Sequence, residues 1–202
     1  MPRVEQPKFQ TIVADPPWPY DTSRTGNFAI PKSKGQEHQR AVHHMGYSTL
    51  TMEQLAGMKV EEFADTPCHL YLWTTNAFMN EAFDLVTAWG FQQKTILTWG
   101  KLVNDTGKIK ASMGVGYYYR GSTEHCLFAV RGSQRLLTET PKPTLYMSRR
   151  LGHSIKPDWF YRLVEECSPG PRLDVFARKP RAGWSVFGNE VESDVNIHIP
   201  GE

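Results

Sequence analysis

Three observations predict an α/β fold with a mostly parallel sheet. Short apolar runs end at polar or proline residues, amphipathic helical stripes lie between them, and 202 residues suit one domain at about 150 residues per domain. The first run, residues 9–15, is a buried strand that stops at Asp15 and two prolines. Residues 20–46 lack periodicity and form a long loop, a length class that is often functional. A short helix is expected over 51–58 and a strand over 68–73. Asn76 is the expected N-cap of a helix whose apolar face is Phe78, Ala82, Leu85, Val86 and Trp89, with Gly90 closing it. Residues 91–99 form the next strand, 101–121 a Gly/Lys/Tyr-rich loop, and 124–130 a further strand. Pro157 opens a helix with Phe160, Leu163, Val164 and Cys167 on its buried face. Residues 173–177 form the last buried strand.

Composition bounds the class. Hydrophobic residues make up 40% and charged residues 22%, which argues against global disorder. No apolar run approaches the ~20 residues of a membrane span, and the first residues have no signal-like apolar region, so a soluble, cytoplasmic protein is expected. Three cysteines without a C-x-x-C pair exclude a disulfide framework, and the seven histidines lack metal-ligand spacing, so no metal is expected. Six Trp, eight Tyr and ten Phe suit either a large core or a base-stacking surface.

Asp15 carries the first chemical signal. Ligands of open α/β sheets bind beyond the carboxyl ends of strands. There Asp15 is followed by Pro16, Pro17, Trp18, Pro19 and Tyr20, and the prolines remove backbone donors. A carboxylate, carbonyls without competing N–H groups and an indole could accept both hydrogens of an exocyclic amine and stack on its ring. The plainer reading is a strand ending at a rigid turn, with Trp18 capping the core.

The run Ile12-Val13-Ala14-Asp15-Pro16-Pro17-Trp18 resembles the signature of the DPPW-type N6-adenine methyltransferases, the family of the eukaryotic messenger-RNA adenosine methyltransferase and its bacterial and phage DNA-modifying relatives. Residues 119–132 (YRGSTEHCLFAVRG) resemble that family's Glu-His strand, and His153-Ser154-Ile155-Lys156-Pro157-Asp158 its Lys-Pro helix entry. Residues 173–178 (LDVFAR) and 183–190 (GWSVFGNE) resemble its closing strand and Gly-Asn turn. The blocks run in the family's order over about residues 9–191.

The resemblance implies a Rossmann-like fold in a single domain, with S-adenosylmethionine as donor. It also implies a permuted order, catalytic strand first, which accounts for the lack of a G-x-G-x-x-G after the first strand. Asp15, Pro16, Pro17 and Trp18 would be catalytic. Lys156 would bind the cofactor's methionine carboxylate, and Asn189 with Glu190 its ribose hydroxyls, Glu190 standing where the family often has Gln. Arg178 would contact cofactor or nucleic acid. Trp18, Tyr20 and Arg120 are the substrate-binding candidates, whereas Glu124 and His125 have only a supporting role. Trp73 and Trp99 are expected to pack in the core. Larger members use a segment upstream of the first strand for the cofactor's adenine pocket; eight residues precede Phe9 here, and that pocket is left unassigned.

The implied activity is methyl transfer to adenine N6 in nucleic acid, DNA before RNA. The alternatives are an RNA methyltransferase and a non-catalytic nucleic-acid-binding subunit of the same fold. The net charge of +2 conceals an uneven distribution, with residues 101–156 carrying +7 and 157–202 carrying −3. The basic stretch is where a phosphate backbone would pass. With little chain left for a target-recognition domain, specificity is expected from loops 20–46 and 101–121 or from a second subunit, a homodimer being the simplest.

Overall fold

The computed structural model describes residues 6–19, 49–103, 118–150 and 155–201. Ten elements follow in chain order: β1 (Phe9–Ala14), α1 (Met52–Gly57), β2 (Ala64–Thr74), α2 (Met79–Ala88), β3 (Gln92–Leu102), β4 (Thr123–Arg131), β5 (Leu145–Arg149), α3 (Asp158–Cys167), β6 (Arg172–Val175) and β7 (Ser185–Phe187). The seven strands form one sheet in the order β5-β3-β4-β2-β1-β6-β7. β1 pairs in parallel with β2 and β6, β6 with β7, and β3 with β5. β4 runs against both β2 and β3. The expected mostly parallel α/β sheet is therefore observed, with one reversed strand.

Side-chain alternation divides the core between the two faces of the sheet. Ile12, Ala14, Leu70 and Leu72 pack with Leu55 of α1 and Ala82, Leu85 and Val86 of α2. Val13, Tyr71 and Trp73 pack on the other side with Trp99, Cys126 and the α3 residues Phe160 and Val164. Trp73 and Trp99 are core residues, as expected. Thr51 caps α1 in a reciprocal box with Gln54. Gly90 closes the turn after α2 with φ of 76°, the left-handed conformation its position demands.

Several boundaries differ from expectation, for physical reasons. Asn76 does not cap α2; it opens a 3₁₀ turn, Asn76–Phe78, and its side-chain oxygen lies 2.7 Å from His125 Nε2 instead. β2 starts four residues before Cys68, and β3 runs through Leu102 because Lys101 and Leu102 pair with Ser148 and Arg149 of β5. β5 was not anticipated: it is an edge strand whose side chains alternate between exposed and half-buried, so no continuous apolar run marks it. The three-residue β7 was read as part of a turn. The loop expected at 20–46 and residues 104–117 of the second loop lie outside the described residues. Among the described residues, no helix is long and apolar enough to cross a membrane.

Candidate active site

Asp15 follows β1 directly, and its N–H donates to the Val175 carbonyl of β6 at 3.3 Å. β1 is flanked by β2 on one side and β6 on the other, so the chain leaves and returns on opposite sides. That topology opens a crevice at the strands' carboxyl ends. A cleft of about 780 Å3, part of it open to solvent, occupies this place. Its walls are residues 15–18 after β1, Thr74 and Thr75 at the end of β2, residues 176–178 after β6, and Asn189 and Glu190 after β7. Lys156, two residues ahead of α3, and Glu124 complete it. Glu124 lies at the start of β4, and reaches this edge only because β4 is reversed: Thr74 at the end of β2 pairs with His125.

The polar centre is a chain of alternating charge. Lys156 Nζ lies 2.7 Å from Asp15 Oδ2 and 3.3 Å from Glu124 Oε2. The other oxygen of Glu124 pairs with Lys101. The Lys156 side chain is only 9% exposed, so its carboxylate partners must replace lost water. Its ammonium sits 5.1 Å from the centroid of the Trp73 ring, and that of Lys101 5.3 Å from Trp99. The two indoles meet edge to face. Burial pushes the Asp15 carboxyl above its ordinary value against the pull of Lys156. Burial acts on Glu124 in the same sense, but Lys156 and Lys101 together bring it below its ordinary value. Burial disfavours the Lys156 charge, and Asp15 with Glu124 overcome it, raising that pKa.

The sequence-predicted residues Asp15, Pro16, Pro17, Trp18, Lys156, Arg178, Asn189 and Glu190 all line this cleft. Arg178 Nη1 lies 3.6 Å from Glu190 Oε1. Tyr20 lies outside the described residues. Arg120 is exposed and not part of the cleft wall. Two expectations are corrected. The Pro16 carbonyl does not lack a donor: it accepts from the Trp18 N–H at 2.9 Å, and the Pro17 carbonyl accepts from the Leu50 N–H at 3.0 Å. Each keeps one lone pair beyond that bond. Trp18 is not an open stacking plate but 3% exposed, with its ring stacked on Phe78 and its Nε1–H donated to the Trp73 carbonyl at 3.1 Å.

Sequence reading missed the central place of Glu124 and the parts played by Lys101 and Phe176. Phe176 has φ of 67°, a left-handed conformation costly for a bulky residue. That turn carries the next residue, Ala177, into a hydrogen bond from its N–H to the Phe187 carbonyl at 2.9 Å.

A family model described as MT-A70 matches residues 9–190. The chain belongs to the MT-A70 family. Its relatives include the type II methyltransferase M.MunI of Mycoplasma sp, 28% identical over 98% of this chain and 84% of that protein. The human N(6)-adenosine-methyltransferase catalytic subunit METTL3 is 24% identical over 95% of this chain, but the match covers only 29% of METTL3. A Drosophila melanogaster N(6)-adenosine-methyltransferase MT-A70-like protein is 24% identical over 92% of this chain and 27% of its own length.

In this MT-A70 chain the turns after β6 and β7 are locked together at Gly188. A Cβ there would lie 2.2 Å from the Ala177 carbonyl oxygen, which is backbone and cannot rotate away. Gly188→Ala should therefore cost about 1–3 kcal/mol and spread Arg178 from Glu190. Urea denaturation checks this; a wild-type stability in the variant would show that the turns are not coupled.

Asp174 of β6 lies behind the cleft, accepting from the Tyr161 hydroxyl at 2.9 Å. Burial pushes its carboxyl up to about 7. The folded protein thus holds a proton that the unfolded chain releases near its ordinary carboxylate value. Stability falls as pH rises from about 4 to about 7, and the loss is complete above that window. Asp174→Asn, which still accepts from Tyr161, should raise Tm at pH 8 and change it little at pH 4. Equal shifts at both values would contradict the assignment.

Proposed function

We propose that this MT-A70 chain is an S-adenosylmethionine-dependent methyltransferase acting on the N6 amine of adenine in nucleic acid, with DNA as the favoured polymer. The observation that carries the reading is the convergence of Asp15, Lys156, Asn189 and Glu190 on one cleft at the carboxyl ends of the parallel strands. The donor set fits the cofactor. Lys156 is a buried cation suited to an amino-acid carboxylate, while Asn189 and Glu190 offer an amide and a carboxylate to ribose hydroxyls. Arg178, beside Glu190, steadies that carboxylate.

The adenine amine is a poor nucleophile because its lone pair is delocalised into the ring. The Asp15 carboxylate would accept one amine hydrogen and the remaining Pro16 lone pair the other. Both bonds favour a pyramidal nitrogen and stabilise the positive charge that develops on it. Trp18, pinned by Phe78 and the Trp73 carbonyl, fixes the turn that aims these acceptors. When bound, S-adenosylmethionine supplies a sulfonium methyl, so the nitrogen lone pair makes the new N–C bond as the C–S electrons return to sulfur. The nitrogen then sheds a proton, and Asp15, already pushed up by burial, is placed to receive it.

DNA is favoured because the type II methyltransferase M.MunI is 28% identical over 98% of this chain, against 24% over 95% for METTL3. The match to METTL3 over 95% of the chain makes RNA the second reading. Mass spectrometry of nucleosides after incubation with single- and double-stranded DNA and RNA decides between them. N6-methyl-2′-deoxyadenosine is expected. Product in RNA alone would overturn the choice of polymer, and no methylated adenine in any substrate would overturn the activity.

A further inference from the structure

Lys101 is the next-to-last residue of β3 and is not part of the cleft wall. Its main-chain N–H donates to the Ser122 carbonyl at 2.8 Å, and its register partner on β5 is Ser148. Its ammonium pairs with Glu124 Oε1, while Glu124 Oε2 faces Lys156. We propose that Lys101 is a positioning residue for methyl transfer: it keeps Glu124 charged, so that Glu124 and Asp15 hold the Lys156 ammonium between them, ready for the cofactor's carboxylate. This role rests on the S-adenosylmethionine reading of the cleft.

The balance of charges leads to it. Lys156 Nζ faces two carboxylates, Asp15 at 2.7 Å and Glu124 at 3.3 Å, and a cofactor carboxylate would be a third. One buried ammonium cannot neutralise two buried anions; with Lys101 the four groups sum to zero before any ligand enters. Carboxylates that share a single cation raise one another's pKa, so without Lys101 one of them takes a proton. Asp15 has the shorter bond to Lys156, which leaves Glu124 as the one to lose its charge. Burial pushes the Glu124 carboxyl up, and Lys101 is one of the two cations that oppose it. A neutral Glu124 would release its hold on Lys156, and the ammonium would settle on Asp15, engaging the carboxylate that must accept the amine hydrogen.

The surroundings of Glu124 leave this part to Lys101. The charged groups facing it are Lys101 from β3, Lys156 ahead of α3 and Asp15 beyond β1, while Arg178 after β6 acts on Asp15. β2 brings Thr74 and Thr75 to the wall and no charge. His125, next along β4, is engaged elsewhere: its Nε2 lies 2.7 Å from Asn76 Oδ1 and its Nδ1 3.1 Å from Thr98 Oγ1. Lys101 is itself held, with its side chain only 16% exposed and its ammonium over the Trp99 ring. Trp99 Nε1–H donates to the Ser148 carbonyl at 3.4 Å, fixing the indole against β5. An exposed pair would contribute little, but this one is enclosed on both sides.

Two measurements on wild type, Lys101→Met and Lys101→Arg test the proposal: single-turnover methyl transfer as a function of pH, and 13C NMR titration of the Glu124 carboxyl, assigned with Glu124→Gln. In Lys101→Met the Glu124 midpoint should rise by about one unit or more, a tenfold gain in proton affinity. The acid limb of the transfer rate should move with it, so that the rate falls about tenfold near pH 6 and approaches wild type near pH 9. Lys101→Arg, which keeps the charge, should restore both. Lys101→Gln, uncharged but still a hydrogen-bond donor to Glu124, gives the same readout by a second route. A Glu124 midpoint that stays in place, or a loss of rate equal at every pH, would overturn the inference and leave the reading of the cleft intact. Wild-type protein that methylates no adenine at any pH would overturn that reading, and the positioning role with it.

Discussion

Asp15→Ala protein should bind S-adenosylhomocysteine as tightly as wild type while transferring methyl at least about 10²–10³-fold more slowly, the loss typical of a deleted transition-state contact. The separation follows from the charge chain. Removing Asp15 leaves Lys156 paired with Glu124 at 3.3 Å, so the cation that would take the cofactor's carboxylate stays in place. It also removes a competitor for that cation, since Asp15 sits 2.7 Å from the same ammonium. Affinity should therefore hold or increase slightly. Asp15→Asn should lie between the two, because the amide keeps one acceptor oxygen but no charge. Single-turnover label transfer and titration measure the two effects separately. Full transfer by Asp15→Ala would contradict the mechanism, and parallel loss of binding would mean that Asp15 serves the fold.

The second large effect is expected at Lys156. Lys156→Met leaves Asp15 without its cation, and Glu124 with Lys101 alone, in a site already costly for charge. Breaking a buried pair from one side costs about 3–5 kcal/mol. The sign of the pH dependence separates this from simple loss of packing. With Lys156 gone, the Asp15 carboxyl rises further, so the folded state holds a proton that the unfolded chain has released. Stability then falls as pH rises through the interval between the unfolded and folded values. The variant's deficit should be largest at pH 8 and shrink towards pH 5, and cofactor binding should be lost throughout. Lys156→Arg, which keeps the charge, should recover most of the stability. A deficit independent of pH would show that Lys156 acts as a spacer rather than as a counter-ion.

What the sequence revealed of this site divides by how local the signal is. Asp15 was legible because a buried apolar run, an acid and two prolines lie within nine residues and specify a strand end. Lys156, Asn189 and Glu190 were legible through resemblance, their local settings being those of surface and turn residues. Glu124 was underrated because its place depends on β4 running against β2, and nothing within residues 123–131 gives a strand its direction. Trp18 was ambiguous for a related reason. An indole after a proline turn serves a core or a ligand equally well, and its burial is decided by Phe78, sixty residues away. The free Pro16 carbonyl failed because Trp18, two residues on, folds its own N–H back onto it. The strict alternation Val195, Ile197, Ile199 was a readable sign of an extended segment with one buried face, but it lay past the last matching motif.

The central claim is that one cleft holds the cofactor between Lys156 and Asn189 with its reactive end facing Asp15. A crystal structure of the protein with S-adenosylhomocysteine tests it most directly. The expected result places the amino-acid carboxylate within hydrogen-bonding distance of Lys156 Nζ, the ribose hydroxyls on Asn189 and Glu190, and the sulfur facing the Asp15 side of the cleft. Density for the ligand elsewhere on the sheet, or in this cleft with the amino-acid end turned away from Lys156, would contradict it.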